Sequence, residues 1–274
     1  MGGQGGLTAR ADRPLDAGDL PPANMLWIGK ALGPVERACM RSVLACGHRL
    51  ALWSYSRIEG VPEDVELRDA AEVVAEDKVF RQIPTGSYAL FSNLFRYRLL
   101  QRSEALWLDC DMYLLKPISW GDGHVFGWER PGVVGSAVLA LPPDSPMLAE
   151  LIGYFDGVRI PPWLPKRWRL RFAVQRALGG RYRTETMPWG YLGPLAVTRM
   201  IDKFALAEHT KEQPILYPIT YEETDLLFSD IGNLEARITP ATLGIHLFNE
   251  MLSRTGERVA SPGSFFERLV REGA

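Results

Sequence analysis

Short solid apolar runs alternate with helically spaced apolar positions along the 274-residue chain. The run Met25–Gly29 (MLWIG) reads as a strand ended by glycine, and Pro34 suits the first turn of a helix. Val35, Ala38, Cys39, Val43 and Cys46 then recur at helical spacing up to a capping Gly47. Leu50 to Trp53 forms a second apolar strand. Strand, helix, strand implies a parallel pair within an α/β sheet. A third strand is expected near Val65–Leu67. From Ser87 to Leu100 the spacing is helical, with Leu90, Phe91, Leu94, Phe95 and Leu99 on one broad face. After the turn QRSE comes the apolar run Ala105 to Leu108. Val133–Leu141 (VVGSAVLAL) predicts one strand, and PPDSP a turn that starts a helix over Met147–Phe155. Gly193-Pro194 opens a helix through Phe204, and Thr242–Leu247 (TLGIHL) predicts a late strand. Residues 157–184, rich in Arg, Trp and Pro, predict an irregular or helical insertion over the sheet.

The composition, 46% hydrophobic and 23% charged, is that of an ordinary globular chain. A net charge of −2 implies no general attraction to nucleic acid or anionic membrane. Cys39, Cys46 and Cys110 show no metal-like or paired spacing, which favours a reducing compartment and a cytoplasmic location, with peripheral association to a membrane left open. No run reaches the roughly 18 apolar residues of a transmembrane segment. The Gly-, Pro- and Asp-rich start predicts a disordered leader over residues 1–23, with order from near Met25 and one domain over 24–274.

The chemistry gathers in EALWLDCDMYLLKP, residues 104–117, where Asp109 and Asp111 follow an apolar run. In extended chain, residues two apart point the same way, so both carboxylates are expected to share one point at the carboxyl end of a strand. Open α/β sheets bind ligands at that edge. A cation relieves the repulsion between close carboxylates, and oxygen ligands suit Mg²⁺ or Mn²⁺ completed by substrate phosphates. The plainer alternative is a solvated Asp-x-Asp turn. Asn93 and Arg96 place polar groups on the otherwise buried helix just before the motif.

The stretch SNLFRYRLLQRSEALWLDCDMYLLKP (92–117) resembles the Asp-x-Asp region of glycosyltransferase family 32, which includes α-1,4-galactosyltransferases that make globotriaosylceramide. The family pattern runs Ser-Asp-x-x-Arg-Tyr, then about seven residues to Gly-Gly-x-Tyr-x-Asp-x-Asp; Arg96, Tyr97, Asp109 and Asp111 fall at that spacing. VVGSAVLAL (133–141), PWGYLGPLAVTRMI (188–201), LYPITYEE (216–223) and IHLFNE (245–250) are similar to later family segments, and LWIG (26–29) to its first strand. Asn93 stands where the family has aspartate, Ser103-Glu104 replace its paired glycines, Trp107 its tyrosine and Phe248 its tryptophan.

The resemblance implies a GT-A-like, single Rossmann-like domain with a mainly parallel central sheet flanked by helices. It implies a metal held by Asp109, Asp111 and His246, where the plainer reading of His246 is a hydrogen-bonded core histidine. Trp27 would stack on uracil or else pack in the core, and Arg96 would fork onto phosphate or ribose or else pair with an acidic neighbour. Ile28, Asn93, Trp107, Cys110 and Asn249 complete the expected nucleotide-sugar set. Trp189, Tyr191 and Gly193 would meet the acceptor. The activity implied is metal-dependent hexosyl transfer, galactose or glucose, from a UDP-sugar to a carbohydrate or glycolipid acceptor with retention, using Mn²⁺ or Mg²⁺. No nucleic-acid partner is expected. No carboxylate nucleophile stands out in the sequence. A nucleotide-sugar hydrolase, a Mg²⁺-dependent phosphoryl-transfer enzyme and a non-catalytic carbohydrate-binding protein are the alternatives, although no GxxxxGK[ST] phosphate loop is present.

Overall fold

The computed structural model describes residues 20–83, 85–119, 121–250 and 259–274. Most of the expected leader, residues 1–19, therefore lies outside the described residues. The chain is already held at Pro21, whose carbonyl contacts His48 Nδ1 at 3.0 Å, and at Pro22, whose carbonyl accepts from the Leu106 amide.

A five-stranded sheet forms the centre. β1 (Ala23–Leu26) pairs in parallel with β2 (Leu50–Ser54), and β2 with β3 (Glu66–Asp69). On its other side β1 pairs in parallel with β4 (Leu106–Leu108). A short antiparallel strand over Val138–Leu139 then closes that edge of the sheet. Helix α1 (Pro34–Ala45), with Pro34 at its first position, provides the β1–β2 crossover as the apolar spacing predicted. Helix α2 (Ala89–Arg102) leads into β4. Because the chain builds outward from β1 in both directions, the ends of β1 and β4 form the switch point at which open α/β sheets bind ligands.

Strand alternation divides the core into two layers. Met25, Leu52, Leu106 and Leu108 face a cluster that includes Met40 and Val43 of α1. Trp53 and Trp107 face the opposite cluster with Phe91, Phe95 and Leu99 of α2. With both faces covered, β4 carries no polar residue, and all three of its side chains are buried.

After the two aspartates, β5 (Met112–Leu114) leaves the central sheet; it pairs antiparallel with a late strand over Gly244–His246. β6 (Phe126–Arg130) pairs antiparallel with β7 (Val133–Val134), and β8 is the short strand Val138–Leu139 already described. The run expected as one strand over 133–141 is therefore two, in different sheets. The break falls at Gly135, where a Cβ would lie 2.3 Å from the Tyr217 ring, so only glycine lets the backbone turn there.

Beyond β8 come α3 (Pro146–Gly153), α4 (Lys166–Gly179) and α5 (Pro194–Lys203). α4 lies within the insertion expected over 157–184, and α5 begins at the predicted Gly193-Pro194. β9 (Thr210–Lys211) pairs in parallel with β6. α6 (Gln213–Leu216) and α7 (Ile231–Glu235) precede β10, the late strand Gly244–His246, and α8 (Phe265–Glu272) packs on α1. Among the described residues no helix is long and apolar enough to cross a membrane.

Candidate functional site

Asp109 and Asp111 are not in extended chain. They occupy a tight turn between β4 and β5, closed by the Met112 amide donating to the Asp109 carbonyl at 3.0 Å. The two carboxylates converge because the chain folds back, with β4 staying in the central sheet and β5 crossing to β10. The pairing of β10 with β5 sets His246 opposite Met112, one residue from Asp111. One ligand atom each from Asp109, Asp111 and His246 then lies within 4.8 Å of the others.

Each group is held differently. Asp109 Oδ1 accepts from the Trp107 indole at 2.8 Å and pairs with Arg96 Nη2 at 2.9 Å. Among the described residues its second oxygen has no partner. Arg96 also donates to the Ser136 carbonyl and to Ser92, and its guanidinium lies over the Trp107 ring. Asp111 Oδ1 lies 3.3 Å from His246 Nε2, and its Oδ2 accepts from the Asn249 amide at 2.8 Å. Phe248 aims that amide by adopting φ +53°, a left-handed conformation costing a bulky residue about 1–3 kcal/mol. Its ring packs on His246 at 4.1 Å, and the Tyr217 ring meets the imidazole edge to face.

Burial by itself would push the Asp111 carboxyl up, but His246 and the Asn249 amide outweigh it and leave the group below its ordinary range. Burial likewise lowers His246, and Asp111, with Asp109 and Glu129 farther off, raises it to a net upward shift. Among the described residues, His246 Nδ1 is buried without a hydrogen-bond partner. Two carboxylates and an imidazole suit a hard or borderline divalent cation.

These groups line a cleft of about 680 Å³ together with Asn93, Arg96, Glu129, Trp189 and Phe248. Asn93 packs so closely on Gly193, just ahead of α5, that a Cβ there would lie 2.9 Å from its Nδ2. Trp189, at the rim, is about half exposed. Other expected site residues are placed elsewhere. Trp107 is wholly buried, and its contribution is the hydrogen bond that orients Asp109. The Asn249 side chain turns away to the buried Glu36 at 2.6 Å, so its role at the turn is through its backbone. Trp27 and Ile28 follow β1 but do not line the cleft; the Trp27 indole donates to the Ala31 carbonyl. Cys110 donates to the Leu26 carbonyl across the switch point, its thiol pushed well up by burial. Tyr191 is partly buried, with its carbonyl accepting from Trp163.

The sequence reading missed Glu129. Its carboxyl is buried on β6, lines the cleft beside Arg130, and is raised by burial against the pull of His246 and Arg130. The available signal was a carboxylate inside the strand-like run VFGWER. A second His/Asp group lies off the cleft, where the stacked rings of His124 and His209 flank Asp122. Comparison with known protein families and with curated proteins found no match for this chain.

Proposed function

We propose that this chain is a metal-dependent glycosyltransferase of GT-A-like fold, which moves a hexose, galactose or glucose, from a UDP-sugar to a carbohydrate or glycoconjugate acceptor with retention. The observation that carries the reading is the convergence of Asp109, Asp111 and His246 at the carboxyl edge of a parallel sheet, inside a cleft large enough for a nucleotide sugar. The collinear resemblance to glycosyltransferase family 32 supports it. Asp109, Asp111 and His246 would hold Mn²⁺ or Mg²⁺, which when bound supplies Lewis-acid stabilisation of a diphosphate leaving group.

The chain's own residues do the rest. Arg96 and Trp107 both hold Asp109 by its Oδ1, which leaves Oδ2 without a partner among the described residues. The Asn249 amide fixes Asp111. Asn93 offers both a donor and an acceptor to a ribose or sugar hydroxyl. Glu129 is the buried cleft carboxylate, its pKa raised by burial, and is the group placed to exchange a proton with an acceptor hydroxyl. Trp189 gives the rim a flat apolar surface for a sugar face.

A screen of UDP- and GDP-sugars for metal-dependent hydrolysis tests the proposal. Turnover of UDP-galactose or UDP-glucose, abolished by a chelator and by Asp111→Asn, is expected. Metal-independent UDP binding with no turnover of any sugar nucleotide would overturn it.

A further inference from the structure

Helix α4 has two apolar faces, and the fold uses one of them. Phe172 is fully buried, with Trp168 packed beside it on the core. Leu170, Val174 and Leu178 recur every fourth residue and so form one stripe along the helix. They are 68%, 50% and 86% exposed. Scattered exposed aliphatics are ordinary, but a continuous stripe marks a contact surface.

The charge around the stripe is one-sided. Residues 157–183 contain eight arginines and lysines and no carboxylate, in a chain whose net charge is −2. Five of these cations, Lys166, Arg167, Arg169, Arg171 and Arg176, are on α4, and all five are exposed. Arg183 pairs with Glu185 at 2.9 Å, whereas no ion pair forms at the helix cations among the described residues. Beside the stripe, Arg159, Lys166, Arg169 and Arg176 line a groove of about 510 Å³ together with Leu170 and Ala173.

We propose that α4 docks the protein on an anionic lipid bilayer, lying in the interface with Leu170, Val174 and Leu178 among the acyl chains and its cations on the headgroup phosphates. A basic helix with an aliphatic stripe has the chemistry of an interfacial anchor. An RNA partner would engage the cations but leave the stripe in water, and it would call for outward aromatic platforms, whereas Trp168 is turned inward. The docked face is tied to the cleft. The Trp163 indole, just ahead of α4, donates to the Tyr191 carbonyl at 2.9 Å, and Trp189 and Gly190 nearby line the cleft. The proposal rests on no part of the catalytic reading.

Co-sedimentation of the full chain with vesicles tests it. The protein is expected to pellet with phosphatidylcholine vesicles carrying about 30 mol% phosphatidylserine, but not with phosphatidylcholine alone. Replacing Arg167→Gln with Arg171→Gln should weaken binding on the order of 25-fold, at about fivefold for each cation. Leu170→Ser with Leu178→Ser should weaken it roughly tenfold or more, with no change in melting temperature, since both side chains are exposed. Failure to pellet with the anionic vesicles would overturn the proposal, as would binding indifferent to the leucine pair. Tighter retention on poly(U) than on vesicles would assign the surface to nucleic acid instead.

Discussion

Asparagine at Asp109 and at Asp111, introduced one at a time, separates two functions of the motif that look equivalent in the sequence. Asp109 faces Arg96, whose guanidinium is only 4% exposed, and asparagine leaves that charge without a carboxylate. Breaking a buried pair from one side costs about 3–5 kcal/mol. Asp109 is itself 27% exposed and Arg96 keeps the Ser136 carbonyl, so a discounted loss of about 2–3 kcal/mol is expected. For a chain of this size that corresponds to a melting temperature lower by about 5–10 °C. At position 111 an amide oxygen still accepts the Asn249 N–H, and His246, unlike an arginine, can stand beside it as a neutral ring. The loss there is about 1 kcal/mol, or roughly 2–4 °C. Both variants should bind Mn²⁺ much more weakly in a calorimetric titration, because a neutral amide is a poorer ligand for a hard cation. Thermal denaturation of the two variants beside the wild type, each with a Mn²⁺ titration, decides the matter. An Asp111→Asn protein less stable than Asp109→Asn would refute the assignment of Arg96 as the partner of Asp109. Unchanged Mn²⁺ affinity in both would remove the motif from metal binding.

Glu129→Gln should lower transfer by about 100-fold or more if this carboxyl exchanges the acceptor proton. It should also raise the melting temperature slightly, because burial disfavours the ionised form; turnover equal to wild type would remove Glu129 from the mechanism. His48, lowered by burial, joins the Pro21 carbonyl to the Ile118 amide as a neutral ring. Its folded pKa lies below the unfolded 6.5, so this contribution is complete above pH 6.5 and is lost as pH falls toward the folded value. His48→Gln should flatten that acid slope in melting curves recorded against pH, and an unchanged slope would place the titration elsewhere. Gly135→Ala drives a methyl into the buried Tyr217 ring and should cost about 1–3 kcal/mol in denaturant unfolding; a neutral result would show that β7 and β8 have room to shift.

Local periodicity was sufficient wherever one element packs by one face against its sequence neighbours. The β1–α1–β2 unit, α2 with Phe91 and Phe95 inward, and α5 behind Gly193-Pro194 all follow their apolar spacing. Asp109 and Asp111 could be singled out from the chain as carboxylates following an apolar run, whereas His246 became a candidate only through the family resemblance. Their geometry could not be read from the chain. The carboxylates converge through a turn rather than strand alternation, and His246 joins them through the pairing of β10 with β5, strands far apart in the sequence. Gly135 breaks its strand because Tyr217 reaches it from a distant segment. Arg96 lines the cleft already paired with Asp109, and Glu129 enters the cleft only once β6 is placed between β7 and β9. Sequence spacing encodes which side chains share a face, because the backbone repeats every 3.6 or 2 residues. It does not encode which faces meet, because those contacts depend on loop closures and packing summed over the whole chain.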